Sequence, residues 1–88
     1  MKISEKKRQK IAEQVLLLLY SESPKLLFTS QIAQEIARDE EFIKKILLNL
    51  KEKNLILEID KNPKGKKYIR RSRWRLSNNT YAAYRNYQ

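Results

Sequence analysis

The chain has 88 residues with no cysteine and no histidine, which excludes disulfides, thiolate zinc sites and imidazole acid–base chemistry. Its formal net charge of +10 favours a polyanionic partner over a neutral one. At this length we expect a single domain, residues 1–88, with one hydrophobic core and no deep substrate cavity.

The positive charge is concentrated near the end of the sequence. Residues 1–60 contain 11 Lys and Arg and all 10 acids, whereas residues 61–88 contain 9 Lys and Arg and no acid. This concentration indicates a nucleic acid, because neutralising phosphates releases condensed counterions. An acidic membrane surface is the rival, but the basic segment lacks an amphipathic helical pattern. With no leader and no apolar run long enough to span a bilayer, we expect a cytoplasmic, nucleoid-associated protein without a membrane partner.

The first predicted element is a helix over residues 4–20, which contain no Gly or Pro. Ser4 is a candidate N-cap, and Pro24 prevents the helix from continuing. The apolar residues recur at helical spacing: Ile11, Val15, Leu18 and Leu19. The short apolar run 26–28 predicts a minimal strand.

Two short helices are predicted next. Thr29 is the expected N-cap of the second helix, whose inner face is formed by Ile32, Ala33, Ile36 and Ala37. Asp39 is the expected N-cap of the third helix, residues 39–53, whose acidic first turn suits the helix dipole. Its core face follows the spacing i, i+3, i+4, i+7: Ile43, Ile46, Leu47 and Leu50. Asn54 ends this helix, because Asn tolerates the left-handed conformation.

After residue 54 the apolar period changes from helical to two. Residues 55–60 predict a strand, the Pro–Gly cluster 62–65 a tight reversal, and residues 68–77 a second strand. One face of the second strand carries Tyr68, Trp74 and Leu76, and the opposite face carries Ile69, Arg71, Arg73 and Arg75. Ser77 is a candidate N-cap of a last short helix, in which Tyr81, Tyr84 and Gln88 share a side.

This order of elements resembles the winged helix-turn-helix family, and local motifs over residues 29–77 extend the resemblance. Gln31-Ile32-Ala33 matches the family's Ile/Leu-Ala pair in the second helix, and Ile43 falls at its Val/Ile position in the recognition helix. Lys53-Asn54-Leu55-Ile56 is similar to the lysine-glycine-leucine-isoleucine that leads into the wing. Trp74-Arg75-Leu76-Ser77 resembles the aromatic-x-leucine-threonine/serine that closes it.

The overall pattern is similar to small archaeal, or archaeal virus or plasmid, regulators related to the MarR and ArsR groups. The resemblance implies an α+β fold: a winged helix-turn-helix with a three-helix core, a β-hairpin wing and a short C-terminal helix. It also implies a double-stranded DNA-binding transcriptional regulator that uses recognition helix 39–53 and a basic wing, residues 60–76. Joint spacing of this kind is more specific for fold than for partner.

The sequence departs from the family pattern around the recognition helix. Ala37 stands where the family has a turn glycine, Arg38 where it has an apolar residue, and Asn54 where it has a second glycine. Glu40 and Glu41 occupy the helix start that such proteins point at base edges. Two carboxylates repel phosphates there, although either can accept from a cytosine amino group. More of the binding is therefore expected from the wing.

Candidate DNA contacts fall on three elements. On the recognition helix, Lys44 and Lys45 suit phosphate or guanine and Asn49 suits adenine; a merely solvated face is the alternative. At the start of the second helix, Ser30 and Gln31 can hold a phosphate, with simple capping as the alternative. In the wing, cations suit phosphates and the minor groove: Lys61, Lys64, Lys66, Lys67, Arg70, Arg71, Arg73 and Arg75.

A homodimer through the first and last helices is expected, since paired modules multiply affinity for two half-sites. The candidate surfaces are Leu16 with Leu17 and Tyr81 with Tyr84; packing within one chain is the alternative. An RNA- or ribosome-associated winged helix and a protein-interaction winged helix are the other function classes. No enzyme, cofactor, metal or small-molecule ligand is expected, because the sequence offers no nucleophile–base pair and only one glycine.

Overall fold

A computed structural model of the chain describes residues 4–59 and 72–86. Four helices and three strands occur in this part of the chain. Their order is α1 (Glu5–Glu22), β1 (Leu27–Phe28), α2 (Thr29–Ile36), α3 (Glu40–Glu52), β2 (Ile56–Ile59), β3 (Arg73–Leu76) and α4 (Asn78–Asn86). The strands form one antiparallel sheet in the order β1-β3-β2. The predicted α+β fold, with three helices before the two wing strands and a short helix after them, is confirmed.

Side chains at the expected positions satisfy the first backbone N–H groups of three helices. The N–H of Lys7 donates to Ser4 Oγ at 3.3 Å at the start of α1. Asp39 Oδ2 accepts from the N–H of Phe42 at 3.3 Å at the start of α3. Ser77 Oγ accepts from the N–H of Thr80 at 3.3 Å at the start of α4. All three predicted N-caps are confirmed.

The predicted N-cap of α2 is wrong. Thr29 is the first residue of the helix, and Phe28 precedes it in the cap position. The side chain of Gln31 satisfies the backbone N–H of Phe28, which donates to Gln31 Oε1 at 2.9 Å. Thr29 Oγ1 instead accepts from Trp74 Nε1 at 2.9 Å. A buried indole N–H requires an acceptor. The Thr29 hydroxyl is that acceptor, so it does not cap the helix.

Ala37 was expected on the inner face of α2, and this is wrong as well. The helix ends at Ile36, and Ala37 is exposed with a left-handed φ of 61°. The turn closes through the N–H of Arg38, which donates to Ala33 O at 3.0 Å. Ala37 therefore adopts the conformation that the family's glycine would adopt. Asn54 also has φ 61°, as predicted.

The core lies between the helices and one face of the sheet. Every core residue predicted on α3 is buried, and Trp74 is 1% exposed. Leu16, which was expected to form a dimer surface with Leu17, is instead buried in the core, whereas Leu17 is 54% exposed. The buried apolar residues are Ile11, Val15, Leu16, Leu19, Leu27, Ile32, Ala33, Ile43, Ile46, Leu47, Leu50, Ile56, Trp74 and Leu76.

Strands β2 and β3 pair antiparallel, with Ile56 opposite Leu76 and Ile59 opposite Arg73. This pairing confirms the base of the predicted hairpin. The expected reversal at 62–65 and the first part of the predicted second strand, residues 68–71, lie outside the described residues. Strand β1 adds to the other edge of β3 through Leu27, which is opposite Trp74.

Candidate nucleic-acid interface

The face of α3 opposite the core has mixed charge. Since Ile43, Ile46, Leu47 and Leu50 are buried, the residues farthest from the core repeat at i, i+4, i+7 and i+11. We call this set the outward stripe: Glu41, Lys45, Leu48 and Glu52. All four residues are exposed. One cation, two carboxylates and one leucine make this stripe a poor source of attraction for phosphates.

The other predicted contacts on α3 lie on its two flanks. Lys44 lies seven residues before Lys51, on the flank that faces β2, and both are exposed. Asn49 is on the opposite flank, where it lines a cleft with Arg8 and Gln9 of α1. Lys45 and Asn49 are thus neighbours one turn apart, whereas Lys44 lies on the other flank of the exposed surface.

At the start of α2, Ser30 and Gln31 are both half-buried. The Gln31 carboxamide oxygen is engaged by the backbone of Phe28, as the capping alternative expects. The adjacent hydroxyl of Thr29 is engaged by Trp74. A phosphate contact from Ser30 or Gln31 stays a prediction.

Strand β3 places Arg73 and Arg75 on the sheet face opposite Trp74. Both arginines are half-buried. The guanidinium carbon of Arg73 lies 6.0 Å from the centre of the Phe28 ring, a cation–π distance. Arg75 Nη1 donates to Leu76 O at 3.1 Å. These two side chains therefore make contacts within the chain. The other six predicted wing cations lie outside the described residues: Lys61, Lys64, Lys66, Lys67, Arg70 and Arg71.

One residue near this surface was not predicted to take part: Glu58 of β2. Its Oε1 accepts from Lys51 Nζ at 2.7 Å, and its Oε2 accepts from the hydroxyl of Ser72. These two hydrogen bonds, the one from Lys51 foremost, lower the pKa of Glu58, while partial burial acts in the opposite direction. The positive charge of Lys44 lowers this pKa further. Strand alternation predicts that Glu58 lies on the same side as Ile56, but no local pattern identifies its partners Lys51 and Ser72.

A separate surface is formed by α1 and α4. The ring of Tyr20 lies 5.3 Å from the ring of Tyr81 and 5.6 Å from that of Tyr84, centre to centre. Partial burial raises the pKa of Tyr84, and the negative charge of Glu13 adds to the shift. The two tyrosines of α4 thus pack on α1 of their own chain. The side chain of Tyr81 is still 38% exposed, and that of Leu17 on α1 is 54% exposed.

The part of the chain that the structure describes shows neither a membrane-spanning helix nor a metal-binding cluster. None of its helices is long and apolar enough to cross a bilayer. No group of three or more acidic side chains there is arranged to hold a metal ion.

Comparison with solved structures identifies the fold as an α+β winged helix. S. aureus MepR in complex with DNA matches with a TM-score of 0.73 and 19% identity, covering 93% of this chain and 64% of that one. Lactococcus lactis ZitR in apo form matches with a TM-score of 0.70 and 18% identity, over 93% of this chain and 57% of that one. The Streptomyces coelicolor PcaV transcriptional regulator, in complex with its natural ligand, matches with a TM-score of 0.64 and 22% identity, over 88% and 49%.

The likeness is one of fold, at low sequence identity. The chain spans between about half and two thirds of the length of these structures. No protein-family model and no curated protein sequence matches it. The predicted winged-helix fold is confirmed, and the archaeal or viral origin stays a prediction.

Proposed function

We propose that this chain is a double-stranded DNA-binding transcriptional regulator that acts on the nucleoid in the cytoplasm. Recognition helix α3 enters the major groove, and the wing, residues 60–76, meets the adjacent backbone and minor groove. The observation that carries the proposal is the winged-helix fold, matched over 93% of the chain by MepR in its DNA complex, joined to an acid-free segment with 8 cations at residues 61–75.

The two binding elements have different tasks in this proposal. The outward stripe of α3 has little net attraction for phosphate, so the wing and Lys44 supply most of the affinity. Lys45 and Leu48 select the sequence, the lysine through guanine and the leucine through the thymine methyl group. Asn49 adds an adenine contact at one flank.

The proposal is tested by titrating duplex DNA, duplex RNA and single strands across a range of salt, after selecting bound sites from a randomised duplex pool. We expect a preference for the selected DNA above about 150 mM salt, with a steep log–log dependence on salt. Equal affinity for every polyanion would reduce the protein to a nonspecific binder. Preference for duplex RNA would favour the RNA-associated alternative.

Variants of the two elements should behave differently. The double variant Arg71→Ala, Arg73→Ala should weaken binding to all duplexes and flatten the salt dependence by about 0.9 for each lost phosphate contact. Lys45→Ala or Asn49→Ala should instead change which sites are preferred. Arg85→Ala, an exposed cation on α4, is the control. A double variant that binds every duplex as tightly as the wild type would show that the wing is not the affinity element.

We infer that the regulator is a homodimer that pairs through α1 and α4. Leu17 and Tyr81 are the exposed large apolar side chains of these helices. Tyr81 packs on Tyr20, which is three residues from Leu17 and so on the same side of α1. The two recognition helices would then lie about 34 Å apart, one turn of DNA. Light scattering should report a dimer that Leu17→Glu converts to a monomer. Leu48→Glu, the same change at an exposed leucine of α3, should leave the mass unchanged.

A protein-interaction winged helix is the second candidate. Two carboxylates and an exposed leucine on the outward stripe favour it, because such a face suits a basic, partly apolar protein surface. Its test is the same titration: loss of binding to every nucleic acid, with an intact fold, would support this alternative.

A further inference from the structure

The structure assigns to Glu58 a role in DNA selectivity: it fixes the base of the β2–β3 hairpin against α3 and keeps Lys51 from acting as a sequence-independent phosphate contact. Glu58 is thus a positioning residue for the wing. This inference rests on the proposed DNA-binding function.

The contacts of Glu58 join three segments of the chain. Its carboxylate accepts from Lys51 in the last turn of α3 at 2.7 Å and from the hydroxyl of Ser72, which directly precedes β3. One side chain on β2 therefore ties both strands of the hairpin to the recognition helix. The side chain of Glu58 is 21% exposed and that of Lys51 48%, so the pair lies at the surface and close to solvent.

The charge balance at this point is unusual for the region. Glu58 is the one carboxylate among described residues 53–59 and 72–86. Lys44 and Lys51 face it from the same flank of α3, seven residues apart. The carboxylate of Glu58 lies close enough to cancel much of the field of Lys51. Of these two lysines, Lys44 is therefore the one that attracts a distant phosphate.

The position of this cluster gives it a functional consequence. If α3 lies in the major groove and the wing meets the adjacent minor groove, the sugar–phosphate backbone between the grooves crosses the junction of α3 and the hairpin. Glu58 is at that junction. A free lysine there would bind any backbone equally well and would add affinity without sequence information. A hairpin no longer tied to α3 would place the wing less accurately.

Three variants separate the two effects. Glu58→Gln removes the charge and weakens the tie. Ser72→Ala removes the hydrogen bond to the segment before β3 without changing any charge. Glu22→Gln, an exposed carboxylate at the end of α1, is the matched charge control. Each variant is assayed against the site selected from the random pool and against a scrambled duplex, over a series of salt concentrations, and its fold is checked by circular dichroism.

For Glu58→Gln we expect affinity for the scrambled duplex to rise and its log–log salt slope to steepen by about 0.9, one additional phosphate contact. The freed lysine adds affinity to both duplexes alike, whereas the loosened hairpin costs affinity only at the selected site. The ratio of specific to nonspecific affinity should therefore fall, by about tenfold, comparable with one mismatched base pair. Ser72→Ala should lower the same ratio without steepening the slope. Glu22→Gln should leave both quantities within about twofold of the wild type, because solvent and salt screen a charge that lies far from the interface.

Two outcomes overturn the inference while the proposed function stands, and in both the wild type prefers its selected site. In the first, Glu58→Gln and Ser72→Ala both keep the wild-type ratio of specific to nonspecific affinity. In the second, Glu58→Gln gains the same factor of affinity on both duplexes. A wild type that shows no preference for any duplex overturns the proposed function itself. If Glu58→Gln does not fold, Ser72→Ala decides alone, since it leaves the Lys51–Glu58 pair in place.

Discussion

The two turns that flank α3 have the same backbone geometry and opposite chemistry. Ala37 before α3 and Asn54 after it both have φ 61°. At the N-terminal end the left-handed residue is an alanine, whose Cβ disfavours that conformation, and the first helical turn is acidic. At the C-terminal end the residue is an asparagine, which tolerates it, and Lys51 is paired with Glu58. The same turn geometry is thus reached at different cost, and the costly turn is at the end expected to face the bases.

The largest stability effect is expected from the cap at the N-terminal end. Asp39→Ala removes the acceptor for the N–H of Phe42 and a negative charge that suits the helix dipole, so the free energy of unfolding should fall by about 1 kcal/mol. Asp39→Asn keeps the acceptor and should lose less than half of that. Urea denaturation at pH 7 measures both. Equal losses in the two variants would mean that the charge, not the hydrogen bond, holds this end of the helix.

A change at Ala37 tests the cost of the turn itself. Ala37→Gly relieves about 1–2 kcal/mol of left-handed strain and gives back about 0.4–1 kcal/mol through greater freedom of the unfolded chain. The free energy of unfolding should therefore rise by about 0.5–1 kcal/mol, which is rare for an Ala-to-Gly change.

Two controls accompany Ala37→Gly in the same denaturation assay. Ala82→Gly, at an exposed position inside α4, should lower stability by about 0.5–1 kcal/mol. Asn54→Gly should change it by only a few tenths of a kcal/mol, since Asn already tolerates φ > 0. A destabilised Ala37→Gly variant would show that the two turns do not differ in strain.

Periodicity and capping chemistry were enough to predict most of the fold. Apolar spacing identified the buried face of α3, and short polar side chains placed the starts of α1, α3 and α4, because these signals are local. The cap of α2 failed for a nonlocal reason. Thr29 has the composition of an N-cap, but a tryptophan 45 residues later in the sequence takes its hydroxyl.

The candidate site was less predictable than the fold. Helical geometry correctly placed Lys44, Lys45 and Asn49 on exposed surface, yet it did not show that Asn49 borders α1 and Lys44 faces β2. The pairing of Glu58 with Lys51 and Ser72 depends on how β2 packs against α3, which no local pattern encodes. Alternation did place Arg73 and Arg75 opposite Trp74, but the contact of Arg73 with Phe28 appears only once the sheet is assembled.

The smallest effect is expected at the C-terminal end, where it depends on pH. Lys51 and Ser72 hold the pKa of Glu58 below its ordinary value of 4.5, so the carboxylate stabilises the fold above that pH, and the contribution disappears as pH falls through the folded-state pKa. Because Lys51 is half exposed, solvent screening limits the effect to about 0.5 kcal/mol. Glu58→Gln should thus be about 0.5 kcal/mol less stable than the wild type in urea at pH 7, and the difference should close as pH falls through the lowered folded-state pKa of Glu58. A gap that persisted at low pH would assign the loss to packing of the amide, and the charge of Glu58 would then contribute nothing to holding the C-terminal end of α3.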